Sequence, residues 1–372
     1  MAEHYLGDVP LYPRSHYVAA LRPEIPEAAY LPARSRLLLV PLYLAIVVLG
    51  GLAIASGWAP GPAWPLIAII VGIAFACQTF ISHEGLHGGI TRSKVLQQLQ
   101  GYIGFLPFML SPRIWVAWHN QTHHAITNQP GDPDAFPTLE TYTTDPNAKL
   151  AVDVFAVGPR RLRGLLTFLF GFTIQSAHQT HSMKKFGYAS GRTLAVATIE
   201  TALYVGFWIA LAFVVGFVPW LFMCVIPMMV ANILVMSFIL TNHSLSPFIP
   251  INDPLITGLS VTVPKLVDRL TLNFGFHTEH HLFPAMSSRH AHLIRKLCIQ
   301  HWPERYQSMP LVTALLELNR TARVYKDAVT LYDPDTQQSW PAILPRTLTP
   351  SVVYSSTIVQ ERTPGIDAHT AA

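Results

Sequence analysis

Between residues 37 and 82, and again between 194 and 241, the 372-residue chain carries no lysine or arginine. Each segment divides into two apolar runs about a short turn: residues 37–56 and 64–82 around a Gly/Pro turn at 58–62, then 194–216 and 220–241 around Pro219. The first run is 20 residues, and as a helix it reaches about 30 Å, the thickness of a bilayer's hydrocarbon core. Pro41, Pro65 and Pro227 lie inside the runs, where neighbouring helices can re-satisfy the freed backbone groups. The pattern predicts an all-α integral membrane fold made of two transmembrane helical hairpins. All 25 Lys and Arg fall in the other three segments, which two hairpins would put on one side. The positive-inside rule makes that side the cytoplasm. The expected organisation is a cytoplasmic N-terminal segment (1–36), a multi-pass membrane domain (37–325) with a cytoplasmic helical cap, and a tail (326–372).

Composition supports this reading and excludes others. Hydrophobic residues make up 51% and charged residues only 12%, about half the charge of a soluble globular chain. A disordered polymer needs the opposite balance, and a net charge of +4 is small for a nucleic-acid binder. Cys77, Cys224 and Cys298 are too few and too scattered for a disulfide framework or a cysteine zinc site. No cleavable signal peptide is visible in the Pro-rich, polar first 36 residues. Two shorter apolar runs, 95–110 and 164–177, are expected to lie in the interface. If they spanned, residues 111–163, with four arginines and Lys149, would face outside. From Asp327 onward the chain is rich in Pro, Thr and Ser, and a loosely ordered tail is expected.

Nine of the 17 histidines fall into four groups. They are His83-Glu84-Gly85-Leu86-His87 where the second run ends, His119 with His123 and His124, the single His243 ending the fourth run, and His277 with His280 and His281. Residues at i and i+4 share a helix face, so His83 and His87 can grip one ion, and His119 with His123 repeats the arrangement. His277 and His280 share a face at i, i+3, while His124 and His281 point about 100° away. Four groups on one membrane side are too many for interfacial anchoring and point to a metal centre. His83-Glu84-x-x-His87 is also the zinc-metalloprotease pattern, with Glu84 as general base. That reading leaves at least six clustered histidines without a role. Eight or nine imidazoles suit a two-iron centre with positions open for oxygen, and Glu84 and Glu279 then become candidates to orient ligand rings.

Over roughly residues 81–293 the chain resembles the membrane fatty acid desaturases. The resemblance rests on the order HxxxH, HxxxHH, HxxHH and on flanking residues: Trp118, then His124 to Asn128, Asp132-Pro133-Asp134, and Phe283-Pro284. It implies a four-helix membrane stem, a cytoplasmic cap and a di-iron site. The ligands it implies are His83, His87, His119, His123, His124, His277, His280 and His281, with His243 as the extra ligand from the fourth span. Some relatives carry an asparagine four residues before that extra histidine; here Ile239 occupies the place and Asn242 is adjacent. The third box opens with His277 where front-end desaturases have glutamine, and no haem-binding cytochrome b5 module is fused. A separate electron donor of the ferredoxin, rubredoxin or cytochrome b5 type is therefore implied.

The implied reaction uses O2 and two external electrons to remove two hydrogens from an acyl chain linked to lipid or CoA. No nucleic acid is involved. Relatives that hydroxylate or ketolate lipids, carotenoids or alkanes share similar boxes and form the alternative, and a non-catalytic receptor that kept the boxes is a third class. Arg160, Arg161 and Arg163 precede an apolar run as surface anchors do, or as contacts to a head group or CoA phosphates. His178 and His181 match no box and are expected to be interfacial polar residues. Trp115 and Trp118 line either the chain tunnel or the aromatic belt, and Glu200, near the start of the third span, is given no role.

Overall fold

The computed structural model describes residues 3–7, 9–159, 162–185, 187, 189–344 and 359–362. The helices that frame the site are, in chain order, α1 (Leu39–Ala55), α2 (Trp64–Leu86), α3 (Lys94–Phe105), α4 (Pro146–Phe155), α5 (Leu165–Ser182), α6 (Gly191–Val215), α7 (Ile226–His243) and α8 (His277–Leu282). Four helical segments are long and apolar enough to cross a membrane: Glu27–Ala55, Gly61–Leu86, Gly191–Val215 and Phe217–His243. They contain the four runs expected to span, to within a residue. The shorter runs 95–110 and 164–177 supply α3 and most of α5, which are not among the four.

The four long helices are not equivalent. In α1 only Tyr43 and Ile54 are buried, while Leu42, Val48, Leu49 and Leu52 are exposed. A helix apolar all round has lipid as its natural surroundings. In α2, by contrast, every residue from Ala74 to Leu86 is buried, because α1, α3 and α7 pack around it. Gly72 permits the α2–α7 approach: a Cβ there would come within 2.5 Å of Val230 Cβ and 2.7 Å of the Pro227 carbonyl oxygen. Burial of the polar end of α2 is possible because its side chains are satisfied. Gln78 Nε2 donates to Val40 O (2.7 Å), Thr79 Oγ1 to Gly104 O (3.1 Å) and Ser82 Oγ to Gln100 O (2.5 Å).

Helix α6 is attached by polar groups instead. Glu200 Oε1 accepts from Tyr102 OH (2.6 Å) and Arg113 Nε (3.0 Å), and its Oε2 accepts from Ser111 Oγ (2.5 Å). The residue without an assigned role thus ties α6 to α3 and to the short helix Pro112–Trp115 that leads into the second histidine group. Gly216 links α6 to the helical turns before α7 with φ of 86°, a left-handed conformation that favours glycine.

Beyond α7 the chain folds back over the ends of α2 and α7. Strands Ser260–Thr262 and Ser308–Pro310 pair in parallel, and Glu3–Leu6 pairs antiparallel with both Val9–Leu11 and Val359–Arg362. The all-α expectation is corrected by these small sheets. The loosely ordered tail is corrected as well, for its described part: Val324–Asp327, Thr330–Tyr332 and Ser339–Pro341 form a three-stranded sheet. Its anchor is Arg323, fully buried, whose guanidinium donates to Val157 O (3.2 Å), Ser244 O (2.5 Å) and Leu318 O (3.1 Å). Residues 345–358 and 363–372 lie outside the described residues. Cys77, Cys224 and Cys298 are free and buried.

Candidate metal centre

The nine box histidines come from four elements and meet in one place. His83 lies in the last turn of α2, with His87 directly after it. His119 and His123 lie on the π-helical turn Val116–His123, with His124 as its C-cap; His243 ends α7, and His277, His280 and His281 lie on α8. Two sets of four have ligand nitrogens all within 4.8 Å of one another: His83, His87, His119 and His280, and separately His123, His243, His277 and His281. His124 joins the first set, its Nε2 lying 3.2 Å from His119 Nε2 and 3.1 Å from His280 Nε2.

This partition differs from the expected pairing of each box on one ion. The wider π turn brings His124 N to the His119 carbonyl (3.1 Å) and sends His119 and His123 to different sets. On α8 the pair that stays together is His277 and His281, at i, i+4 with Nε2 atoms 3.0 Å apart, while His280 faces the other set. Only His83 and His87 behave as expected.

The donor set fits metal ions. Nitrogens at right angles on one ion, with bonds of about 2.1 Å, lie roughly 3.0 Å apart. The His83–His119 Nε2 distance is 3.1 Å, and the His243 and His277 Nε2 atoms also meet. Among the described residues His87 Nε2 and His123 Nε2 are buried with no hydrogen-bond partner, a costly state unless a ligand satisfies them. Burial, and then the neighbouring imidazoles, hold His87, His119, His124, His277, His280 and His281 well below the usual imidazole range. They are therefore neutral, as metal ligands must be. His123 differs. Burial would lower it, but Asp132 and Asp134 outweigh burial and push it up to about 9. Its Nδ1 donates to Asp132 Oδ1 (2.9 Å), leaving Nε2 for the place where a cation would replace the second proton.

A tight, mostly apolar cavity of about 40 Å³ adjoins these nitrogens, lined by Phe80, Trp115, Trp118, Phe172, Ile239 and Phe274 together with five of the histidines. Trp115 stacks on His119 with ring centroids 4.6 Å apart, so both tryptophans line this cavity.

Residues 56–312, well over half of the chain, match the family described as Fatty acid desaturase. The chain belongs to the fatty acid desaturase family. It is 22% identical over 259 residues to the chloroplastic omega-6 fatty acid desaturase of Spinacia oleracea, covering 66% of this chain and 56% of that relative. A comparable match is the chloroplastic omega-6 fatty acid desaturase of Glycine max, 21% identical over 258 residues, covering 66% and 58%. The sn-1 oleoyl-lipid 12-desaturase of Picosynechococcus sp. is 27% identical over 280 residues, covering 68% of this chain and 73% of its own length. The chain thus spans little more than half the length of the plant relatives. Family membership and the four apolar helices make this a membrane protein.

In this desaturase-family chain the acidic residues do not do what their positions suggest. Glu84 accepts from Ser287 Oγ (2.6 Å), Ser288 Oγ (3.1 Å) and Arg36; Glu279 accepts from Ser260 Oγ (2.5 Å), Tyr306 OH (2.5 Å) and Arg295 Nε (3.0 Å). Neither is hydrogen-bonded to a box histidine among the described residues, so the expectation that they orient ligand rings is corrected. With both oxygens engaged, Glu84 is also poorly disposed to serve as a protease's general base. The orienting carboxylates are Asp132 and Asp134. Asp134 Oδ1 accepts from Trp118 Nε1 (2.8 Å) and Gln175 Nε2 (2.7 Å), and its Oδ2 lies 3.4 Å from His123 Nδ1. The signal in the sequence was the Asp-Pro-Asp motif, read there only as a family mark. Ile239 lines the cavity, and among the described residues Asn242 is buried with no side-chain partner and neither His178 nor His181 belongs to a metal group. Arg160 and Arg161 lie outside the described residues, and Arg163 is exposed.

Proposed function

We propose that the chain is an O2-dependent, di-iron fatty acid desaturase that introduces a C=C bond into an acyl chain carried on lipid or CoA. The observation that supports this most is the pair of four-histidine sets converging on one apolar cavity. In this reading His83, His87, His119, His124 and His280 hold one iron, and His123, His243, His277 and His281 hold the other. Bound there, the irons supply the oxidising power that an unactivated methylene demands, since it offers neither an acidic proton nor a leaving group. The balance is one –CH2–CH2– unit, O2, two electrons and two protons giving one –CH=CH– unit and two waters. The protein's own part is to hold neutral imidazoles in place, to orient His123 through Asp132, and to keep one C–C bond beside the metals in a slot lined by Trp118, Phe172 and Ile239. Electrons come from a separate donor of the ferredoxin, rubredoxin or cytochrome b5 type.

The same reading carries the topology: two hairpins in a domain of residues 37–325, with the N-terminal segment, the cap and the tail all cytoplasmic. It agrees with the confinement of every Lys and Arg to the segments outside the two apolar pairs. The test is expression in a host lacking polyunsaturated lipids, with iron quantified per chain and oleoyl-containing lipids profiled, since the cyanobacterial relative is named for an oleoyl lipid. About two irons per chain, as two imidazole sets require, with new double bonds is the expected outcome. Hydroxylated lipid without new unsaturation would replace desaturation by the hydroxylase alternative, and zinc without iron would return the protease.

A further inference from the structure

The run from His124 to Asn128 ends in two polar residues, Thr127 and Asn128, each only 1% exposed. Thr127 Oγ1 lies 2.8 Å from the His123 carbonyl oxygen and 3.2 Å from His281 Nδ1. Two oxygens at the first distance need a proton between them. A carbonyl has none, so the hydroxyl donates its single proton there. Towards His281 the same oxygen can then only accept, and Nδ1–H is the donor. That fixes the ring: with a proton on Nδ1, the nitrogen left for an ion is Nε2. His281 Nε2 lies 3.0 Å from His277 Nε2, within the fully buried set of His123, His243, His277 and His281.

Asn128 acts on the same set by another route. Its φ of 49° is left-handed, a conformation that asparagine tolerates better than most residues. From there Nδ2 donates to the carbonyl oxygens of His243 (3.0 Å) and Pro247 (3.2 Å), and the backbone N donates to Asp132 Oδ2 (2.7 Å). Asp132 in turn accepts from His123 Nδ1. Two consecutive residues thus reach the ring of His281, the backbone of His123 and His243, and the carboxylate behind His123. His124, in the other set, has a buried Nδ1 without a hydrogen-bond partner among the described residues.

We propose that Thr127 and Asn128 are positioning residues for the fully buried metal position. Thr127 holds the His281 ring with Nε2 turned to the ion, and Asn128 ties the end of α7, with His243, to the segment that carries Asp132. The inference rests on the metal reading proposed above and deepens it: both residues touch ligands, and neither touches the ion or the acyl chain. Groups of this kind fix a ligand's orientation before the ion arrives, and their loss typically costs roughly 10–100-fold in metal affinity.

The test is a Co2+ titration of the full-length protein in detergent, stripped of metal and followed by the visible absorption of the bound ion. It uses no O2, electrons or acyl lipid, so its outcome is separate from a failure to desaturate. The unchanged chain is expected to bind two ions, one for each set of imidazoles; fewer would remove the metal reading and this proposal with it. Thr127→Val keeps the shape of the side chain and removes the hydroxyl. It is expected to weaken one of the two ions about tenfold, the lower end of the range for a ligand's lost partner, and to alter that ion's spectrum alone. Thr127→Ser returns the hydroxyl and is expected to restore both affinity and spectrum. Asn128→Gly keeps a residue suited to the left-handed backbone and is expected to weaken the same ion. Weakening in Thr127→Val that Thr127→Ser does not reverse would assign the effect to packing of the methyl group and overturn the proposal. Equal weakening of both ions, or binding by Thr127→Val and Asn128→Gly indistinguishable from that of the unchanged chain, would overturn it as well.

Discussion

The two histidine sets differ in ways that matter for the chemistry they can hold. His123, His243, His277 and His281 are all buried, and His123 is fixed from behind by Asp132. In the other set His87 and His280 are only partly buried, and among the described residues no carboxylate is hydrogen-bonded to any of its rings, although Asp134 Oδ2 stands 4.0 Å from His119 Nδ1. Its support is aromatic instead, with Trp115 stacked on His119 and edge-on to His83 and His87. One position is thus enclosed and held by a carboxylate, and the other has two rings that are only partly buried. Two sites built from one ligand type are differentiated by burial and by what stands behind the ligands.

The largest effect that sharpens this contrast comes from removing a ligand on each side. His277→Ala and His87→Ala are both expected to lower product by more than about 100-fold, beyond the 10–100-fold typical of losing a ligand's hydrogen-bond partner. They should then part company. Millimolar imidazole is expected to restore iron content and some product in His87→Ala, because that ring is only partly buried, and to do nothing for the enclosed His277→Ala. Equal rescue, measured by iron per chain and lipid profile, would erase the distinction. Next in size is Asp132→Asn, which keeps a hydrogen-bonding group beside His123 but removes the charge. A 10–100-fold loss of iron affinity at one of two sites is expected, read as a biphasic chelator titration in place of the more uniform one of the unchanged chain.

The membrane helices were legible in the sequence because a bilayer imposes a length and a charge rule that run along the chain. The four histidine groups were legible for the same local reason, since spacing reports which residues share a face. The division into two sets was not. It depends on a π-helical turn at Val116–His123 that no spacing rule anticipates, and on α8 placing His280 and His277 toward different partners. Asp132 was visible only as part of a motif, because its role arises from a chain reversal that brings Oδ1 back to His123, nine residues earlier. The ordered strands after Asp327 were missed because their sequence is polar and Pro-rich. What holds them is the upstream Arg323, whose buried guanidinium collects carbonyls from two distant positions, Val157 and Ser244, and from nearby Leu318, a largely non-local satisfaction that periodicity cannot register.

Glu84 gives the smallest expected effect on chemistry and the one most directly opposed to a reading of the first box as a protease motif. Its carboxylate joins the end of α2 to Arg36 and to Ser287 and Ser288, so it braces the partly buried set through the backbone rather than through a ligand ring. Glu84→Gln keeps the size and much of the hydrogen bonding while weakening a largely buried ion pair. The expected cost is about 1–3 kcal/mol of stability, the range for a weakened buried polar contact, seen as a lower unfolding temperature in detergent. Iron content and product should stay close to those of the unchanged chain, and His181→Ala, exposed and outside both sets, is the control that should move neither stability nor product. A general base cannot tolerate that substitution, whereas a brace can. Complete loss of activity in Glu84→Gln with both irons retained would mean that this carboxylate acts on the substrate or its protons, and the partly buried set would then no longer be the one without a working acid behind it.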